Sequence, residues 1–273
     1  MALLLLKDFF VNEYRYKCLG KAIRLIVNTI WIGGELGPIH AACLRSFVRQ
    51  GHDVVLHTYA RPHDTPDGVR LFDANKLMKQ EEIVLHKKTG SLTLAADRYR
   101  YRILREGMGL YVDCDVYCLQ PFPQDQYVFG WEDDDTINNA VLNMPHDSEL
   151  LKHIIKASED DFFIPPWRGK NKILYARLRK AIGLPVHVSK QKWGTIGPRL
   201  ISYCVKELGL EDKASPLDVF YPVYFKQLDL LCEKGLTIAD ITTPRTLGVH
   251  LYNSLLKDRS VVAGSPLHAI LTA

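Results

Sequence analysis

The chain lacks long apolar runs, a cysteine framework and low-complexity linkers, and each absence removes a class of protein. A membrane-spanning helix needs about 20 consecutive apolar residues. The start, Met1 to Lys7, stays apolar for only a few residues, and nothing later in the chain is longer. A secretory leader would need a longer apolar core behind a basic start, so neither leader nor span is expected. The six cysteines, Cys18, Cys43, Cys114, Cys118, Cys204 and Cys232, are dispersed. Cys114 and Cys118 form the one close pair, and no second pair completes a zinc set. Scattered thiols of this kind suit a reduced, cytoplasmic protein. The formal net charge is only +4, and no basic cluster with interleaved aromatics stands out. A nucleic-acid partner is therefore not expected.

What is present is the balance of a globular enzyme-sized chain: 273 residues, 47% hydrophobic and 24% charged. Such a chain can bury a sizeable core. Residues 1–22 lack a clear period and read as a peripheral segment, and residues 23–273 read as one domain. The β-branched run at 23–32 predicts a buried strand ending at Gly33-Gly34. Pro38 then opens a helix closed by Gly51, and 53–59 form a second strand. Strand, helix, strand in that order implies a parallel pairing. Residues 61–68 read as a loop, 92–106 as a helix, 110–113 as a short strand. Two more strands, 127–131 and 140–144, flank an acidic turn, Asp133-Asp134-Asp135, that reads as solvated. Helices at 147–158, 171–182, 196–208 and 224–234 complete the chain. The expected fold class is α/β, with a mainly parallel sheet and additional C-terminal helices.

One stretch carries chemistry: Leu110-Tyr-Val-Asp-Cys-Asp-Val-Tyr117. On a strand, Asp113 and Asp115 would point the same way and Cys114 the other. Paired carboxylates raise each other's proton affinity, and a hard divalent cation with oxygen ligands relieves the repulsion. An apolar lead-in and an apolar exit place the pair at the end of a buried strand rather than in a polar loop. Ligands of open α/β sheets gather there. Asp97, Arg100 and Tyr101 share a face of the preceding helix at spacings of three and four. By spacing alone, Asp97 and Arg100 are an intrahelical ion pair.

The run from Ala96 to Leu104, followed by Gly109-Leu-Tyr-Val-Asp-Cys-Asp115, resembles the sugar-binding region of the DXD-containing glycosyltransferases. The likeness is to glycosyltransferase family 32 and its bacterial capsule and polysaccharide branch. Met108 replaces the first glycine of that family's Gly-Gly pair. Flanking matches occur at Val27–Gly33, Ser46-Phe47, Leu56–Tyr59, Ile137–Leu142, Thr195–Pro198 and His250–Ser254. The resemblance implies a GT-A, Rossmann-like domain that binds a nucleoside-diphosphate sugar, a UDP-sugar being favoured over a GDP-sugar. It implies Mn²⁺ or Mg²⁺ held by Asp115, with Asp113 and His250 as further ligands. Ile30, Trp31 and Gly33 would line the base pocket. Asp97 and Arg100 would hold ribose, sugar or diphosphate, and Asn139 would face the donor sugar. Asp113, Asp115 and Arg100 would be the catalytic set.

The activity so implied is transfer of a sugar to an acceptor hydroxyl of a glycan, polysaccharide or lipid-linked saccharide, with retention of configuration. Two alternatives stay open: a non-catalytic sugar-nucleotide binding module, and a phosphatase that uses Asp-x-Asp at a strand end. The latter normally wants Thr or Val where Tyr117 stands. A lipid-linked acceptor would call for peripheral docking at the inner face of the membrane, through residues 1–20 and the cations Lys7, Arg15, Lys17, Lys21 and Arg24.

Overall fold

The computed structural model describes residues 24–256 and 259–273. Of the expected N-terminal docking residues all but Arg24, together with Cys18, lie outside the described residues. Strand β1, Ile26–Trp31, forms where β-branched and apolar residues run together. It is followed by helix α1, Gly37–Arg49, with Pro38 in its first turn. There the missing N–H costs nothing, because first-turn donors have no intrahelical partner. Gly51 ends the helix at φ +82°, a conformation glycine adopts without a Cβ clash. Strand β2, Asp53–Thr58, pairs parallel with β1, Val27 opposite Val54 and Trp31 opposite Thr58. Strand β3, Arg70–Asp73, adds parallel to β2.

Helix α2, Thr93–Arg105, crosses to strand β4, Leu110–Val112, which pairs parallel with β1 on its other side. After β5, Val116–Cys118, come β6, Val128–Trp131, and β7, Ile137–Asn143. The main sheet has the order β3-β2-β1-β4-β7-β6, with β7 antiparallel to both its neighbours. The fold is therefore mixed α/β with a mainly parallel central sheet, as the alternation of strands and helices leads one to expect.

Side chains of β4 alternate between two cores. Leu110 and Val112 join α1 residues such as Leu44 and Phe47, whereas Tyr111 joins Tyr99, Tyr101 and Ile103 of α2. On that second face pack helices α3, Glu149–Ser158, and α5, Pro198–Glu207. Each such aliphatic side chain taken from water contributes roughly 1.5–3 kcal/mol. Between α3 and α5 runs α4, Lys170–Ala181, in which no residue is buried.

A second, two-stranded sheet pairs β5 with β8, Gly248–His250, antiparallel, and sets His250 opposite Val116. Short helices α6, Leu217–Phe220, α7, Asn253–Leu256, and α8, Pro266–Thr272, complete the C-terminal region. Two readings need correction. The helix expected over 224–234 is a 3₁₀ segment, Phe225–Leu231, broken at Gln227, where φ −115° is not helical. The strand expected over 110–113 ends at Val112, so Asp113 and Asp115 lie in a turn between β4 and β5.

Candidate metal centre

The turn Asp113-Cys114-Asp115 is closed by the Val116 amide donating to the Asp113 carbonyl at 3.1 Å. Its two ends are tied to different elements. The Asp113 amide donates to Ala140 O at 2.7 Å, and the Asp115 carbonyl accepts from Leu251 N at 2.8 Å. Convergence of the two carboxylates thus comes from a tight turn, and strand alternation is not its cause. Cys114 points inward, its Sγ 3.1 Å from Thr29 Oγ1 and donating to Ile30 O at 3.3 Å. Burial pushes its thiol well above the usual range, so it stays protonated.

Ligand atoms of Asp113, Asp115 and His250 all lie within 4.8 Å of one another. The β5–β8 pairing brings His250 there. Asp115 Oδ1 is 3.3 Å from His250 Nε2, and Oδ2 accepts the Asn253 amide at 2.8 Å. Burial would raise the Asp115 carboxyl. The His250 imidazole and the Asn253 N–H outweigh it and hold the group well below the carboxylate range. Burial likewise lowers His250, yet Asp115 overrides it and raises the imidazole above its ordinary value. The other ring nitrogen, Nδ1, is buried with no hydrogen-bond partner. An unpaired buried nitrogen beside two carboxylates is costly by itself. Two oxygen donors and an imidazole suit a divalent cation such as Mn²⁺ or Mg²⁺. Next to this cluster the backbone is strained: Tyr252 has φ +49°, and its hydroxyl donates to Glu132 at 2.8 Å.

Behind Asp113 lies a closed polar network. Asp97 and Arg100 are 1% and 3% exposed, so both are sealed within the protein. Arg100 Nη1 donates to Asn139 O at 2.6 Å and to Asp113 Oδ2 at 3.3 Å. Its Nη2 lies 3.2 Å from Asp113 Oδ1 and 3.5 Å from Asp97 Oδ1. The guanidinium also stands over the Tyr111 ring, 4.8 Å from its centre, and the Tyr111 hydroxyl donates to Asp113 at 2.7 Å. Asn139 Nδ2 donates to Asp97 at 2.9 Å and to Tyr101 Oη at 3.3 Å. Burial raises the Asp97 carboxyl to about 6, against the pull of Arg100 and Asn139.

The residues expected around a base sit at the carboxyl end of β1. Ile30 packs its side chain into the α2 core. Trp31 packs against His40 of α1, with ring centres 4.4 Å apart and the rings tilted by 50°. Its indole N–H is buried without a partner, and the Cα of Gly33 packs so close that a Cβ would come within 3.1 Å of that nitrogen. His40 Nε2 is 3.1 Å from Asn253 Nδ2, which links this end of β1 to the residue whose amide holds Asp115. Sequence reasoning missed Tyr111, His40, Asn253 and Tyr252. The sequence signal for Tyr111 is its place two residues before Asp113. Tyr252 and Asn253 lie within the His250–Ser254 match, which gave them no role, and His40 answers to no local pattern, because a distant contact brings it in.

No family model matches the chain, and no curated protein sequence is significantly similar to it. Among solved structures it is similar to one described as a PaToxG glycosyltransferase. The two are 12% identical, the match covers 77% of this chain and 79% of that one, and the TM-score is 0.45.

Proposed function

We propose that the protein is a metal-dependent glycosyltransferase that moves a sugar from a nucleoside-diphosphate donor, a UDP-sugar by preference, to an acceptor hydroxyl. One observation carries the reading: the neighbouring Asp113 and Asp115 and the sequence-distant His250 converge at the carboxyl end of β4, with a buried ring nitrogen left unpaired. Asp115 and His250 would hold the cation, with Asp113 as the third ligand. A bound divalent cation supplies charge neutralisation for a departing diphosphate.

The chain's own residues do the rest. The turn and the Asn253 amide fix Asp115 before any ligand arrives, so little reorganisation is needed. Arg100 and Tyr111 together aim the Asp113 carboxylate. Because Arg100 is sealed and fully engaged, it acts through Asp113 as a positioning residue. Asp97 and Asn139 lie one layer deeper and keep Arg100 in place. Ile30, Trp31 and Gly33, at the carboxyl end of β1, would line the base pocket, as the sequence resemblance implies. Transfer with retention to a glycan or lipid-linked saccharide is the reaction the sequence resemblance implies. The phosphatase reading fits less well. It asks for an aspartate free to attack, whereas Asp113 is held by Tyr111 and Arg100.

Incubation with a panel of UDP- and GDP-sugars, with Mn²⁺ or with chelator, tests the reading by chromatography of released nucleoside diphosphate. Metal-dependent release from one donor supports it. Donor binding with no turnover would favour a binding module, and release of phosphate from an aryl phosphate would favour a phosphatase.

A further inference from the structure

Helix α4 carries its apolar stripe on the outside. Leu174, Leu178 and Ile182 follow one another at four-residue spacing, with Tyr175 beside them, on a single helical face. They are 59%, 57%, 70% and 62% exposed, whereas Ile173 and Ala176, on the opposite side, are half-buried. A surface helix ordinarily turns such a stripe toward the core. Contiguous exposed aliphatics mark a surface that is covered by something else. Leu184, two residues past Ile182, is 58% exposed, and Trp193, farther along the chain, is 54% exposed.

Charge identifies the cover. Lys170 and Arg177, seven residues apart, border the stripe on one side, and Lys172 and Arg179, also seven apart, border it on the other. From Phe162 to Lys206 the chain holds ten lysines and arginines and no aspartate or glutamate, although the whole protein is only +4. That small net charge conceals the segment in a sequence reading, because apolar residues separate its cations. Lys180 is paired with Asp160 and Lys206 with Asp135; the other eight have no ion-pair partner among the described residues.

We propose that α4 and its flanking loops dock the protein on an anionic phospholipid bilayer. An apolar stripe bordered on both sides by cations is what an interfacial helix presents, its aliphatics entering the acyl boundary and its cations reaching headgroup phosphates. A second copy of the same face would bring cations against cations. Residues 1–23, with four basic and two acidic side chains, are positive as well. A nucleic acid would answer the cations but leave Leu174, Leu178 and Ile182 uncovered. The loop that follows α4 in the chain also touches α2. Trp193 Nε1 donates to Thr93 at the start of α2, the helix that carries Asp97 and Arg100. The inference does not depend on the transferase reading, since docking needs neither donor nor metal.

Flotation of the full-length protein with vesicles tests it, using phosphatidylcholine alone and phosphatidylcholine mixed with phosphatidylglycerol. The wild type should float with the anionic vesicles only, less so as salt rises. A triple variant, Leu174→Ser, Leu178→Ser and Ile182→Ser, and a charge variant, Lys172→Glu with Arg177→Glu, should each lose roughly tenfold or more in partitioning. Both alter exposed side chains, and circular dichroism and the thermal transition should stay as in the wild type. Failure of the wild type to float at low salt would overturn the proposal, as would equal binding to neutral vesicles. So would variants that float like the wild type, or capture of single-stranded RNA or polyglutamate by wild type and triple variant alike in preference to vesicles.

Discussion

Gly197 lies so close to Asp97 that a Cβ built on the glycine would sit 2.7 Å from Oδ2 and 3.0 Å from Oδ1 of the carboxylate. The carbonyl just before it, of Ile196, accepts the Tyr101 hydroxyl at 2.9 Å. The loop before α5 therefore acts as a lid on the buried network behind Asp113. Gly197→Ala should push Asp97 off Asn139 and destabilise the fold by roughly 1–3 kcal/mol, the usual range for overpacking. Thermal denaturation checks it. The double variant with Asp97→Asn should cost less than the sum of the singles, because the two residues share one contact.

Arg100 answers for two carboxylates at once. Arg100→Met should cost roughly 3–5 kcal/mol, since removing one member of a buried ionic cluster leaves uncompensated charge. Adding Asp97→Asn should recover some of that loss. Arg100→Lys should not, because an ammonium cannot reproduce the contacts to Asn139 O, Asp113 and Ala96 O together. Denaturant midpoints of the three variants measure the order.

A second buried polar group sits under β1 and sets the response to acid. His57 Nε2 donates to Asn28 Oδ1 at 3.0 Å, and Nδ1 accepts from Tyr99 Oη at 3.0 Å. The Asn28 amide is oriented by its donation to Met108 O at 3.0 Å and Leu110 O at 3.4 Å, which fixes this tautomer. Burial pushes the imidazole down to about 3 from 6.5. The folded-state value is lower than the unfolded one, so the unfolded chain binds the proton first. Stability from the neutral ring is fully present above about pH 6.5 and is lost as pH falls toward about 3, at most ~1.4 kcal/mol per unit. The stability advantage of wild type over His57→Gln should shrink between pH 6.5 and 5. Parallel pH curves for the two would contradict the neutral, buried assignment.

Local patterns carry most of the fold. The β-branched run of β1, the Pro38–Gly51 frame of α1 and the breaker-free stretch of α2 all lie where the sequence pattern predicts them. What escapes depends on distant pairing. β3 has exposed residues outside any alternation, and β5 and β8 are three residues each. No period can be read in such short elements. At the site, Asp113 and Asp115 are legible as a pair. The reason they converge is not, because the turn is set by Ala140 and Leu251. The Phe225–Leu231 segment has helix-forming composition, but tertiary packing of Leu228 and Leu231 takes it into a broken 3₁₀ form.

The central claim is that Asp115 holds a cation to which a nucleoside diphosphate binds. Titration calorimetry of UDP and GDP into wild type and Asp115→Asn, each with Mn²⁺ or with chelator, tests it most directly. The account predicts binding by the wild type that requires Mn²⁺ and is absent in Asp115→Asn, while His57→Gln, remote from the cation, binds as the wild type does. Mn²⁺-dependent binding of equal strength in Asp115→Asn would contradict it.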